Sequence, residues 1–236
     1  MSPGPMILGI DTTTSFLHLA LVQGADTWTR RIEVGVGRSH SGSLLPCVNE
    51  LMAEAASTPR DLKGVVVCVG PGGFTSLRIG VATAEGLALT GLPTWGFSAF
   101  ELRALALREG GFQEPVWILL DGQRNEAFAQ AWSHGPEAPA CKHPLVGLED
   151  LLQGRPWWAP REFSAKAEAA IGRPPVSVQD EGSATLAGLV ELCRQRPSHP
   201  PEAPLVPFYL RETDAEVNFP EASQHLSDAL RQGHAR

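Results

Sequence analysis

Residues 64–80, GVVVCVGPGGFTSLRIG, restrict the fold more than any other stretch of the chain. The run 64–70 is short, β-branched, bounded by glycine and without polar alternation, the pattern of a strand buried on both faces of its sheet. Such a sheet needs helices on both sides, and the residues after the turn at Pro71, Gly72 and Gly73 read as one of them, over about 75–89. The class is therefore α/β. With 236 residues, 43% of them apolar, one or two domains can each bury a core without disulfides or metals.

The flanking sequence extends the pattern. Before the buried run, MILGID, FLHLALVQ and TWTRRIEVG read as a three-stranded meander, with Leu17, Leu19 and Leu21 on one face and Trp28, Ile32 and Val34 on one face. Leu44, Val48, Leu51, Met52 and Ala55 recur at helical spacing, so a helix covers about 43–56, with Pro46 tolerable in its first turn or as a kink. After the second helix comes a strand in LPTWGF. Ser98 with Glu101 three residues on then forms a capping box for a helix through about Leu107.

Gly110 and Gly111 mark the expected end of a first lobe, 1–110. Beyond them the opening pattern returns, because ILGID followed by TTTSFLHLAL is matched by WILLD followed by GQRNEAFAQAW. The offset from Asp11 to Asp121 is 110 residues. A repeated strand, acid, turn and strand suggests two facing lobes of related topology. The second, 111–213, is smaller and less regular, with a Pro-rich stretch at 197–207 and a short aromatic segment, PFYLRE. Residues 214–236 read as a flexible tail with a weak amphipathic helix near His225 to Leu230.

Each chemical candidate has a bland alternative. The Gly-rich turn at 70–80 can aim backbone N–H groups and a helix N-terminus at an anion, yet it lacks the GK[ST] ending of a Walker loop and does not fit GxGxxG. The alternative is that its glycines merely permit a tight crossover with close helix and strand packing. Asp11, with Thr12, and Asp121 close strands facing a cleft, where carboxylates hold Mg²⁺ or orient water, or merely cap turns. No HxxxH, HExxH or GxSxG occurs. Cys47, Cys68, Cys141 and Cys193 form no CxxC pair and read as buried, reduced thiols. In the second helix Gly80, Ala84 and Ala88 lie four apart, beside Ala82, Thr83 and Gly86, so another helix can approach closely there, either within the chain or from a partner.

A net charge of −7 opposes a surface that binds nucleic acid by itself, and the sequence holds no aromatic and basic cluster, although a local basic patch is compatible with it. The N-terminus has no Lys or Arg before its short apolar run, and no stretch approaches the roughly 18 to 20 apolar residues of a membrane span. A cytosolic protein is expected.

ILGIDTTT, RSHSGSLLPCVNELM, VCVGPGGFTSLRIGVATAEGLAL, TWGFSAFELRALA, LLDGQRNEAF and PFYLRE resemble, in order, the successive motifs of the bacterial TsaB (YeaZ) family. The match covers most of the first 130 residues and one short motif near the C-terminus, and the segment 134–204 is not diagnostic. The resemblance implies a two-lobed actin-like ATPase (ASKHA, ribonuclease H-like) fold whose second lobe is degenerate. It also implies a role in making N6-threonylcarbamoyladenosine at position 37 of tRNA, as the non-catalytic subunit that holds a TsaD-type transferase and a TsaE-type ATPase. It implies no cofactor or metal of its own, ATP use by partner subunits, tRNA contact only through the complex, and a homodimer when alone. The implied partner surface lies on the first two helices, at Leu44, Leu45, Val48, Leu51, Met52, Leu77, Gly80, Val81, Ala84 and Ala88. The chain departs from the family's GPGSFTG at Gly73 and Ser76, and where the family reads DAR-x-GE it has Asp121, Gly122, Gln123, Arg124, Asn125 and Glu126, which replaces the motif's basic residue by Gln123. The rival readings are an active ATPase or metallopeptidase-like enzyme of the same fold and a stand-alone tRNA-binding protein. DTTTS lacks the Gly expected of a nucleotide-binding loop after the first acid, which weighs against the former.

Overall fold

The structure, a computed structural model, describes residues 4–35, 37–177 and 180–211. The first sheet has five strands: β1 (Met6–Asp11), β2 (Phe16–Gln23), β3 (Asp26–Glu33), β4 (Leu62–Gly70) and β5 (Thr94–Ser98), in the order β3-β2-β1-β4-β5. The first three form the expected antiparallel meander, whereas β4 pairs parallel with β1, and β5 parallel with β4. Parallel neighbours require crossovers. These are supplied by α1 (His40–Glu54) and α2 (Phe74–Ala88).

Period-two alternation sorts the strands between two cores. Leu8, Ile10, Leu17, Leu19, Leu21, Val65 and Val67 pack with Leu44, Val48, Leu51, Met52, Leu77, Val81 and Ala84 of α1 and α2. On the opposite face Ile7, Ala20, Val22, Val66 and Cys68 pack with α3 (Ala99–Glu109) and with residues from the far end of the chain. The run 64–70 is thus buried on both faces.

Helix ends follow local chemistry. Ser39 Oγ accepts from Gly42 N–H at 3.1 Å, so α1 begins at His40, three residues before its expected start, and Pro46 falls in the second turn. Ser98 Oγ accepts from Glu101 N–H at 3.0 Å, which is half of the expected capping box, while the Glu101 carboxylate pairs with Arg196 instead.

The second sheet comprises β6 (Val116–Asp121), β7 (Glu126–Trp132), β8 (Cys141–Pro144) and β9 (Trp157–Trp158), ordered β8-β7-β6-β9. Leu119, Ala127 and Ala129 pack under α4 (Leu148–Leu152) and α5 (Arg161–Ile171). Val116, Ile118, Leu120, Phe128 and Trp158 point the other way, into the cluster that includes α3.

The C-terminal course returns to the first sheet. Helix α6 (Glu181–Gln195) lies on it: Leu189, Val190, Leu192 and Cys193 join the core of Ile7, Ala20 and Phe100. A Cβ on Gly9 of β1 would stand 2.6 Å from Cys193 Sγ, and one on Gly188 would stand 3.0 Å from Ala106 N in α3. The next segment then lies against the edge strand β5, where Glu202 N–H donates to Thr94 O at 2.7 Å and Thr94 Oγ1 to Glu202 O at 2.6 Å, and further on Phe208 N–H donates to Val69 O, near the end of β4, at 2.6 Å. An open edge invites pairing with other chains, and here the protein's own Pro-rich stretch occupies it. The expected tail and its helix near His225 lie outside the described residues.

Gly188→Val tests the seating of α6. Overpacking against α3 backbone costs about 1–3 kcal/mol, which lowers Tm by roughly 2–4 °C for each kcal/mol in a chain of this size. Thermal unfolding followed by circular dichroism measures it, and an unchanged Tm would mean that α6 does not pack there.

Candidate functional site

The cleft is built by the two copies of the strand, acid, turn and strand unit. In both, the acid closing the first strand accepts from the N–H two residues on: Asp11 Oδ1 from Thr13 N–H at 2.9 Å, and Asp121 Oδ1 from Gln123 N–H at 2.8 Å. This is the Asx geometry that short carboxylates favour at turns. The two acids differ in what else they meet. Asp121 is exposed and takes a further bond from Gln123 Nε2 at 3.0 Å. Asp11 is 0% exposed.

Asp11 sits at the end of a buried network. Its Oδ1 also accepts from Thr13 Oγ1 at 2.6 Å, and its Oδ2 lies 3.2 Å from Arg103 Nη2. His18 Nδ1 is 3.5 Å from the same oxygen, an electrostatic contact longer than a good hydrogen bond. Register explains the arrangement, because His18 stands directly opposite Asp11 in the β1–β2 pair, and Arg103 reaches in from α3. Burial by itself would raise the Asp11 carboxyl, but Arg103, His18 and Thr13 outweigh it and hold the group well below the usual carboxylate range. For His18, burial pulls the imidazole below its ordinary value of 6.5 against the opposing pull of Asp11. A carboxylate so fully paired has no oxygen directed at solvent.

Thr12 is committed as well. Its Oγ1 donates to Ser76 O at 2.7 Å, and a Cβ on Gly80 would stand 2.6 Å from that oxygen. A Cβ on Gly72 would come within 2.6 Å of Thr13 Cβ, and one on Gly70, at φ +112°, within 2.7 Å of Phe208 O. The glycines of the 70–80 turn serve close backbone approach, the blander of the two readings.

Two cavities flank Arg103. One, of about 340 Å³, is lined by Thr13, Gly72, Gly73, Asp121, Gln123 and Glu162 among others. It brings Asp121 to the Gly-rich turn while Asp11 lies behind its wall. The other, about 830 Å³, has His18, Arg31, Arg161, Glu162, Asp180 and Glu181 on its walls. Spacing alone did not single out Arg103 or His18. The signal was present: Arg103 interrupts the apolar stripe Phe100, Leu107 of its helix, and His18 alternates with inward Leu17 and Leu19.

The expected partner-surface residues divide sharply. Leu44, Val48, Leu51, Met52, Leu77, Val81 and Ala84 are buried in the chain's own core, and Gly80 is buried against Thr12. Leu45 alone is well exposed, at 54%, and Ala88 is half-buried. The row Gly80, Ala84 thus faces inward because α2 must lie close on β4 and Thr12. The small residues that face solvent are Ala82 and Gly86, next to the exposed Leu89.

The structure also assembles what the sequence did not display, an aromatic and basic cluster. Phe74 and Arg78 of α2 meet Tyr209, over 130 residues away: the rings are 5.4 Å apart, and Arg78 Nε donates to Tyr209 Oη at 3.0 Å. The four cysteines are unpaired, and three of them are buried, with Cys141 partly so. Among the described residues no helix is long and apolar enough to cross a membrane.

Comparison with known proteins places this geometry. Residues 34–135 match the family model described as TsaD, tRNA N6-adenosine threonylcarbamoyltransferase. An uncharacterized protein of Mycobacterium tuberculosis is 32% identical over 213 residues, covering 89% of this chain and 93% of that relative. The tRNA threonylcarbamoyladenosine biosynthesis protein TsaB of Escherichia coli is 28% identical over 189 residues, covering 76% of this chain and 80% of that one. The chain belongs to the TsaB (YeaZ) family. The solved structure of YeaZ from Pseudomonas aeruginosa shares the fold, with a TM-score of 0.69 at 21% identity over 87% of this chain and all of that one. The actin-like ATPase fold expected from the TsaB resemblance is the fold present.

Two outcomes follow from the Asp11 network. Asp11→Asn strands the Arg103 charge in a buried site and should cost about 3–5 kcal/mol, read as a shift of the urea midpoint, with Asp11→Asn plus Arg103→Met recovering part of the loss. Because His18 has a lowered folded pKa, the unfolded chain binds the extra proton first. Stability from this residue is therefore complete above about pH 6.5 and declines as pH falls below it. His18→Gln should flatten urea midpoints between pH 7 and pH 5; parallel profiles for the two proteins would remove His18 as the cause.

Proposed function

We propose that this chain is the non-catalytic scaffold subunit of the bacterial complex that makes N6-threonylcarbamoyladenosine at position 37 of tRNA. In this reading it binds a TsaD-type transferase and a TsaE-type ATPase, which use the ATP, meets tRNA within the complex, and pairs with itself when the transferase is missing. The names of the relatives support the pathway. The observation that carries the non-catalytic role is the internal neutralisation of Asp11. In an ATPase of this architecture a first-lobe acid must face a metal or a water, and here Arg103 and Thr13 occupy both of its oxygens. Asp121 keeps an exposed carboxylate but has no second acid beside it on the cavity wall except Glu162, from α5. Among the described residues neither side chain belongs to a set containing nucleophile, base and metal ligands.

The partner surface in this reading is the outer face of α1 and α2, centred on Leu45, Ala82, Gly86, Ala88 and Leu89. A two-fold or pseudo-two-fold contact needs an apolar, self-complementary face, and small residues on α2 let a partner helix come close.

Reconstitution tests the proposal. Transfer to tRNA should require this chain beside the transferase and the ATPase, while the isolated chain should hydrolyse no ATP above a blank; transfer undiminished by its omission would refute the scaffold role. Leu45→Arg should leave the monomer folded and weaken capture of the transferase by tenfold or more, given that central apolar contacts contribute about 2 kcal/mol. Leu51→Arg is the contrasting control, since it buries a charge in the chain's own core and should unfold it.

A further inference from the structure

We infer that the groove between the start of α2, the 122–125 turn and residues 208–211 binds an unpaired segment of RNA. It rests on the tRNA-modification reading only for the choice of RNA; the surface itself stands on its geometry.

The groove encloses about 620 Å³, and its walls are aromatic and cationic: Phe74, Phe128, Phe208 and Tyr209, with Arg78, Arg124 and Arg211. Phe74 and Tyr209 are 42% and 38% exposed, so both rings present part of their surface to solvent. Arg78 lies over both, its Cζ 3.8 Å from the Phe74 centroid and 5.9 Å from that of Tyr209. Arg211 is anchored by Glu126 Oε2 at 2.6 Å and Gln123 O at 3.2 Å, which fixes the floor. The turn above it holds Gln123, Arg124 and Asn125 at φ +62°, +48° and +62°, a left-handed run of non-glycine residues that the surrounding structure must enforce.

Charge selects the occupant. The chain carries −7 overall, yet this groove gathers Arg78, Arg124 and Arg211 against Asp121 on its lining and the Glu126 carboxylate that pairs with Arg211, which leaves it locally cationic. Exposed rings flanked by arginine are how proteins hold unstacked bases and the phosphates between them, and such platforms do not accept paired bases, whose faces are already covered. An apolar peptide would offer the Arg78 guanidinium no anion.

The test is fluorescence anisotropy with a labelled RNA hairpin whose loop is unpaired, titrated with the full chain. The hairpin should bind in a salt-dependent manner, a fully paired RNA duplex of the same length should bind at least tenfold more weakly, and ATP should not displace the hairpin. Phe74→Ala and Tyr209→Ala should each weaken binding about 5- to 150-fold, as loss of one stacked base predicts, while Tyr209→Phe keeps most of it. Arg78→Gln should reduce the slope of log affinity against log salt by about one. The proposal is overturned by absent hairpin binding, by equal binding of the duplex, by displacement with ATP, or by variants that bind like the original. Capture of the transferase by the Phe74 and Tyr209 variants is measured alongside. Its loss would make the groove a protein interface and also overturn the proposal, whereas capture that fails already with the unsubstituted chain counts against the scaffold reading alone.

Discussion

An ion pair out of reach of solvent, Asp11 with Arg103, sits where the first sheet, α3 and the second sheet converge. Taking two charges from water costs several kcal/mol, and their attraction offsets this only if the remaining polar atoms are also met. Asp11 meets that condition through Thr13, whose N–H and hydroxyl both bond its other oxygen, whereas Arg103 keeps its Nε and Nη1 buried without a partner among the described residues. The arginine in turn forms part of the wall of both cavities. Strand β1 therefore ends, α3 is oriented, and the space between the sheets is divided by one contact. Asp11 is thus a structural joint between the first sheet and α3.

Around that joint the chain relies on close backbone approach. Glycines at 9, 72, 80 and 188 each stand where a side-chain carbon would collide with Cys193, Thr13, Thr12 or the α3 backbone. A glycine in a helix costs roughly 1 kcal/mol against alanine, so Gly80 and Gly188 are tolerable only because the helices they belong to dock more tightly. The inward placement of Gly80 and Ala84 reflects this demand, leaving Ala82 and Gly86 as the small residues on the outer face.

Much of the fold was legible because local pattern and burial agree. The alternation of Leu17, Leu19 and Leu21, the unbroken run 64–70 and the repeat from Asp11 to Asp121 each report a short-range rule of strand geometry. What could not be read locally was the destination of distant segments. Helix α6 looks amphipathic in isolation, and nothing in its spacing says which sheet its Leu189 and Cys193 will cover. The same holds for Arg78 and Tyr209, whose meeting depends on a chain reversal of more than a hundred residues. Apolar width on α1 and α2 was visible too, yet width does not distinguish a core from an interface. Only Leu45 of the α1 set escapes the core, because α1 packs on β2 and β3 through the rest.

The return of α6 to the first sheet has a consequence during synthesis. Ile7, Ala20, Val22 and Val66 leave the ribosome well before the helix that covers part of their face, which follows more than a hundred residues further along the chain. Until residue 195 emerges, the nascent first lobe must hold an uncovered apolar surface, the kind of exposure that draws chaperones and favours aggregation. Closing that face also joins residues some 180 positions apart, so the last step of folding carries a long-loop entropy and a correspondingly slow search. A stop codon placed anywhere before α6 would thus release not a small stable lobe but an adhesive fragment.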